Sequence, residues 1–300
     1  MDEKQTENIK TDTNEDPERN QKNRKRRKSG SRVLTAVRYL LILVCAAVAV
    51  YEGVQIYLDQ REYQTADHEY QELADQAVQE TAGTAASASD VSGTSGSQDS
   101  SEITPDLKVD YAALEKINPD FIGWLSFKAL DISYPIVKEQ KENEYIHATF
   151  DGKSNKAGCI FMDTLSNEKF DGRSDFVFGH NMRNLSMFGS LKLLYKKGNG
   201  YLLENNPYVF VYTKEGIYQY EVFAYETTQT GSSVYDEITT DDAYDAYVQE
   251  IRMGSRYDCW DEIDFSKRPE ILNLSTCSGA AGGTKRFVVH TVRIRTWANS

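Results

Sequence analysis

The chain has 300 residues, 40% of them hydrophobic, with a formal net charge of −12, which is material for one or two domains with a packed core. The excess of acid lies after residue 58, and an acidic surface excludes nucleic acid as a partner, because phosphate binding needs a basic one. The four cysteines, Cys45, Cys159, Cys259 and Cys277, show no CxxC spacing, and with four scattered histidines they spell no structural zinc site.

Residues 1–32 are almost wholly polar and end in KNRKRRKSGSR (22–32), a basic run without an acid. A nuclear-localisation or nucleic-acid tract has this composition. An apolar segment follows at once, VLTAVRYLLILVCAAVAVYEGVQIYL (33–58), with charge only at Arg38 and Glu52. As a helix it is about 39 Å long, enough for a hydrocarbon core of about 30 Å. The positive-inside rule then makes 1–32 a cytoplasmic tail and puts everything after 58 outside the cell, a single-pass type II arrangement. The uncharged stretch Tyr39–Tyr51 also suits a signal peptide, but Glu52-Gly53-Val54-Gln55 is a poor cleavage site, so an uncleaved anchor is expected.

Residues 59–81 hold helix formers without Gly or Pro and are expected to continue as a solvated juxtamembrane helix, with His68 on its surface. In 82–104, AGTAASASDVSGTSGSQDSSEIT, small polar residues cannot offset their ordering entropy, so 59–104 reads as helix and flexible linker. The folded extracellular domain is expected over 105–300. Val109–Ile117 reads as a short helix stopped by Asn118-Pro119. Eight runs rich in Val, Ile, Phe and Tyr read as strands: FIGWLSF, DISYPIV, AGCIFMD, SDFVFGH, YVFVYT, YQYEVFAYE, EILNLSTC and RFVVHTVRI. Helical patterns interrupt them near Ser190–Leu194 and at Asp241–Met253. The fold class is mainly β, a closed or sandwich-like domain of about eight strands.

Three cysteines fall outside the apolar segment, so at most one disulfide forms there and one thiol stays odd. LNLSTC (272–277) ends a strand at Cys277, and SGAAGGTK separates it from RFVVHTVRIRT; a hairpin across this linker sets Cys277 opposite Arg286, about 5 Å away. A guanidinium there can hold a thiolate or the oxyanion of an attacked carbonyl. A buried structural cysteine beside an ordinary strand-end arginine has the same spacing. Acyl transfer also needs an acid/base, and histidine suits it. His180 follows a strand at a loop position; His290 sits mid-strand about 13 Å beyond Arg286; His147 lies in an irregular turn. Sequence logic ranks His180 first.

Together SDFVFGHNM (174–182), NLSTC (273–277) and Arg286 in KRFVVHTVRI resemble the active-site signature of class B sortases. NPDFIGWLSF, DISYPIV, ENEYIHATFDGK and AGCIFMD extend the resemblance over most of 110–295. It implies a sortase-like closed β-barrel with an N-terminal helix, and a helix at Asp241–Met253 in the long connection before the cysteine strand, a connection that helps wall the substrate groove. It implies that Cys277 attacks the Thr carbonyl of a C-terminal sorting motif to form a thioester, that His180 is the acid/base, and that Arg286 supports substrate and oxyanion. Asn143, Ile146, Phe178 and Ser275 fall where such enzymes line the groove. The implied partners are secreted proteins bearing that motif and an acceptor amine of peptidoglycan or of another surface protein; no metal or organic cofactor is required. Asn273 and Phe178 replace the usual Thr and Tyr, and Ser278-Gly279 stand where an acidic residue often follows the nucleophile. Rival readings are another envelope cysteine enzyme, although the SHGC-type motif of L,D-transpeptidases is missing, and a tethered β domain that binds envelope polymer or signals.

Overall fold

The computed structural model describes residues 17–81, 88–90, 103–196, 199–204, 206–255, 257, 263–278 and 283–299. The chain divides into two compact units, Met1–Gln60 and Arg61–Ser300. In the first, the helix α1 (Pro17–Ala77) carries a candidate membrane span, and side chains such as Leu40, Leu41, Leu43 and Val50 stand fully outward. A helix that is apolar on every side needs an apolar surrounding.

The second unit takes in the last turns of α1, and this corrects the expectation that the helix after residue 58 is solvated. Ala66, Tyr70, Leu73 and Ala77 are buried and belong to the main core. They lie four, three and four residues apart, one thin stripe on a helix. The strand β1 (Val78–Glu80) follows α1 directly, and β2 (Ala88–Asp90) comes next. Residues 82–87 and 91–102, most of the expected tether, lie outside the described residues. β3 (Leu107–Val109) pairs antiparallel with β1, and α2 (Tyr111–Ile117) starts where Asp110 Oδ1 accepts from Ala113 N at 3.0 Å, an ordinary N-cap.

The barrel is built from β4 (Phe121–Phe127), β5 (Ile132–Lys138), β6 (Ile160–Met162), β7 (Ser174–Phe178), then, after the one-turn α3 (Tyr201–Glu204), β8 (Tyr208–Tyr212) and β9 (Gly216–Gln229). The helix α4 (Asp241–Gly254) precedes β10 (Ile271–Cys277) and β11 (Lys285–Ala298). The order is β10-β7-β6-β5-β4-β8-β9-β11, and β10 pairs again with β11, so eight strands close on themselves while β2 adds to β11. All eight expected strands form, and closure removes the edges that an open sheet leaves unpaired. Pro135 is tolerated inside β5 because the pairing with β6 begins only at Ile136. The expected helical segment near Ser190–Leu194 is a 3₁₀ turn, Gly189–Leu193.

Leu125, Phe127, Ile136, Val209, Val211 and Leu274 share the inner face and fill the barrel. A second cluster lies outside it, where Tyr244, Tyr247 and Ile251 of α4 cover Phe223, Ile271, Val288 and Val292. Their spacing of three and four residues gives α4 one apolar face. Thr240 caps it, Oγ1 accepting from Ala243 N at 3.1 Å, and Asp241 and Asp242 complement the positive end of its dipole.

Candidate active site

β7 and β10 are parallel neighbours in the register Phe178↔Ser275. Two residues further, His180 and Cys277 leave adjacent strands side by side, at a strand spacing of about 4.8 Å. Cross-links hold the two ends together. Gly179 N donates to Ser275 O at 3.2 Å, Thr276 Oγ1 donates to Gly179 O at 2.7 Å, and Asn181 Nδ2 donates to Cys277 O at 2.7 Å.

On the other side β10 and β11 run antiparallel with Cys277 opposite Arg286, the register expected from the linker length. Ser278 N donates to Lys285 O at 2.9 Å, so those two residues form a hydrogen-bonded pair. Cys277 and Arg286 are then a non-hydrogen-bonded pair, with Cα atoms about 4.5 Å apart and side chains closer than in the alternative. Cys277 is exposed and free. Arg286 is half-buried, and its Nη1 donates to Gly283 O at 2.9 Å and Lys285 O at 3.0 Å, which keeps the guanidinium at the hairpin mouth.

His180 is half-buried, and its Nε2 donates to Ile146 O at 2.6 Å. A carbonyl only accepts, so Nε2 carries a hydrogen and Nδ1 is the nitrogen that gains and loses a proton. The His147 ring stacks on it with centroids 5.7 Å apart. Burial pushes the His180 pKa below the ordinary value and His147 pushes the same way, while the bond to Ile146 O opposes them. At neutral pH the imidazole is therefore mainly a base. Cys159, by contrast, is buried, and desolvation pushes its thiol up to about 12, so it carries no thiolate.

All seven residues singled out from the sequence, Cys277, His180, Arg286, Ser275, Asn143, Ile146 and Phe178, line one cleft of about 590 Å³. Phe178 stacks between Phe161, at 5.7 Å, and Tyr235, at 6.2 Å. His290 is elsewhere, wholly buried behind the barrel wall with Nδ1 2.7 Å from Asn273 Oδ1. Among the described residues no three His, Cys, Asp or Glu side chains are grouped to hold a metal ion. Cys259 lies outside the described residues.

Tyr235 and Asn181 escaped the sequence reading. Tyr235 lies between β9 and α4, where nothing in spacing or pattern marks it, yet its hydroxyl is 2.9 Å from Ser275 Oγ across the cleft. Asn181 directly follows His180, and only the parallel register shows what it reaches. Thr230, Gly231 and Tyr235 wall the cleft on this side; they belong to the long connection between β9 and β10 that carries α4, the connection expected to wall the groove, while α4 itself lies outside the lining. The opposite wall carries Glu139, Glu142 and Asp163, against the single cation Arg286 among the lining residues.

The sortase domain family model matches residues 125–294, from the second half of β4 to the cleft strands. The chain is similar to sortase B of Listeria monocytogenes serovar 1/2a (strain ATCC BAA-679 / EGD-e), 29% identical over 181 residues, 59% of this chain and 71% of that protein. It is similar to sortase B of Staphylococcus aureus (strain NCTC 8325 / PS 47), 25% identical over 189 residues, 63% of this chain and 75% of that protein. Among solved structures, Bacillus anthracis sortase B in complex with AAEK1 superposes with a TM-score of 0.61 over 78% of this chain and 99% of that one, at 23% identity. A Staphylococcus aureus sortase B–substrate complex superposes with a TM-score of 0.55 over 63% and 85%, at 26% identity.

Proposed function

The chain belongs to the sortase family of cysteine transpeptidases, in its class B, and from that premise we propose that Cys277, His180 and Arg286 carry out acyl transfer in the cleft. The observation that carries this is the double register. Parallel pairing sets His180 beside Cys277, and antiparallel pairing sets Arg286 opposite it.

Neutral His180 takes the proton of the Cys277 thiol as sulfur attacks a Thr carbonyl in a C-terminal sorting motif. The Arg286 guanidinium faces the oxyanion that develops. The C–N bond breaks, His180 gives its proton to the leaving amine, and a thioester remains on Cys277. An incoming amine, losing its proton to His180, attacks the thioester and the thiolate departs. Ser275, Asn143, Ile146 and Phe178 contact the motif, with Tyr235 opposite Phe178. Water entering at the thioester stage gives hydrolysis in place of transfer, so the walls around Phe178 and Tyr235 also limit water access.

Residues 1–32 are the cytoplasmic tail, 33–58 the membrane anchor, and the compact unit from Arg61 works outside the cell. Its donors are secreted proteins with the motif, and its acceptor is an amine of peptidoglycan or of another surface protein. The test is incubation of the chain with peptides in which varied Pro-x-Thr motifs are followed by at least one further residue, read by mass spectrometry for cleavage after Thr and for a thioester on Cys277. Cys277→Ala abolishes both with the fold intact, and His180→Ala slows them at least ~10²-fold. Wild-type rates in Cys277→Ala would remove the mechanism.

A further inference from the structure

The last turns of α1, residues 61–77 of the second unit, do more than fill the core. The segment 141–159 runs from the acidic wall of the cleft through Ile146 and His147 to β6, and it folds back on itself. Asn155 N donates to His147 O at 3.0 Å, and Cys159 N donates to Tyr145 O at 3.1 Å. At its base Gly158 has φ +60°, and its backbone lies so close to the opposite limb that an added Cβ would sit 2.6 Å from Ile146 O and 2.8 Å from Tyr145 O. Ile146 O is the acceptor for His180 Nε2. Whatever fixes Gly158 therefore fixes the partner of His180.

That anchor comes from α1. The Tyr70 hydroxyl, buried in the core, donates to Gly158 O at 2.7 Å. Beside it Glu62 receives Lys156 N at 2.8 Å on its carboxylate and Asn155 Nδ2 at 3.1 Å on its carbonyl. The same helix grips the turn that follows His180. Asp67 Oδ2 accepts from Asn184 Nδ2 at 2.7 Å, and the Tyr70 ring meets the edge of Tyr134, whose hydroxyl accepts from Met187 N at 3.1 Å. Phe188 N closes the turn on His180 O at 3.1 Å. Burial raises the Tyr70 pKa well above the phenolic value, so its hydroxyl stays a donor at any working pH.

We propose that residues 61–77 belong to the catalytic apparatus, with Tyr70 a positioning residue that holds His180 through Gly158 and the Ile146 carbonyl. A phenylalanine would fill the same core site; only the hydroxyl reaches the backbone of the 141–159 segment. The assignment rests on His180 as the acid/base. The charged and titratable groups around this relay are Glu62, Asp67, Glu69 and Cys159 near Tyr70, His147 against His180, and Cys277, Arg286, Glu139, Glu142 and Asp163 across the cleft.

The experiment uses the full chain in detergent micelles with ¹³Cε1-labelled histidine. There are four histidines in all, and His180→Gln assigns the His180 signal. A carbonyl acceptor favours the protonated ring, so loosening it moves the His180 midpoint to lower pH. Tyr70→Phe is expected to shift that midpoint down while that of the distant His290 stays in place. It should lower kcat about 3–10-fold on the best-cleaved Pro-x-Thr peptide, as loss of one hydrogen bond worth about 1 kcal/mol implies, with KM unchanged. An unmoved midpoint overturns the proposal, whether or not kcat falls, because a merely structural tyrosine changes stability and not the titration of His180. Gly158→Ala displaces the same carbonyl with Tyr70 intact and must shift the midpoint as well; no shift there overturns the relay even if Tyr70→Phe folds poorly. Full activity in His180→Gln would instead sink the acid/base assignment, an outcome the titration does not depend on.

Discussion

Two glycines in one segment separate the conformational cost of an alanine from its collision with the His180 partner. Gly152 has φ +82° with nothing within 4 Å of an added Cβ, whereas Gly158 has φ +60° with Ile146 O 2.6 Å away. Placing an L-residue in the left-handed region costs about 1–2 kcal/mol at either position. At Gly158 the new methyl also overlaps two backbone carbonyls that cannot rotate aside, and overpacking of this kind adds roughly 1–3 kcal/mol. Gly152→Ala should therefore lose about 1–2 kcal/mol and Gly158→Ala about 2–5 kcal/mol, out of a total typically about 5–15 kcal/mol. Urea unfolding of residues 61–300, followed by the fluorescence of the buried Trp124 and Trp297, reads the difference as a shift in midpoint at constant slope. Peptide cleavage should fall in Gly158→Ala and hold in Gly152→Ala, because only the first moves the carbonyl that His180 leans on. Equal stability losses, or equal rates, would refute the close-approach argument.

Iodoacetamide at pH 8 should label Cys277 within the folded protein and leave Cys159 untouched until denaturant is added, since burial pushes the Cys159 thiol up to about 12; peptide mapping that finds both labelled together contradicts the burial. The rate of cleavage should rise with pH through a midpoint below 6.5, because desolvation lowers the His180 pKa and the neutral ring is the form that takes the Cys277 proton; a midpoint above 6.5 assigned to His180 would reverse the sign. Asn273→Leu should cost at least ~1 kcal/mol by urea denaturation, because it strands the buried His290 Nδ1 aimed at Asn273 Oδ1, at about 1–3 kcal/mol, and takes from the buried Tyr247 hydroxyl one of its two side-chain partners, leaving Ser174, partly offset by burying the leucine. A neutral substitution would mean that this amide is not the hub of the network.

The strand candidates were readable because their alternation and Gly or Asn boundaries are local signals, and the Cys277–Arg286 register followed from linker length alone. His180 was favoured over His290 by its loop position, and the burial of His290 against Asn273 explains the difference in physical terms. The docked helix was far less visible. Its buried stripe is Ala66, Tyr70, Leu73 and Ala77, two of them methyl-sized, set among Glu, Gln and Asp, so the segment reads as solvated although its apolar residues keep helical spacing. β1 and β3 are three residues each, too short to show a period. Asn273, which stands where the motif usually has Thr, is saturated. Its Nδ2 donates to Ser174 Oγ at 2.8 Å and Asp175 O at 3.1 Å while Oδ1 serves Tyr247 and His290. No pattern in one chain reveals a partner set assembled from three elements.

The parallel seam between β7 and β10 also sorts the sequence into parts that can change length and parts that cannot. Side chains alternate along a strand end, so one residue inserted between Phe178 and His180, or between Ser275 and Cys277, would swing the imidazole or the sulfur to the opposite face. The stretch that joins β9 to β10 carries no such parity, and each doubling of a loop's length adds only about 0.6 kcal/mol of closure entropy. Grafting a longer or shorter segment there, to reshape the wall around Tyr235 for a different peptide, leaves the alignment of thiol and imidazole untouched, whereas a single-residue indel at either strand tip dismantles it.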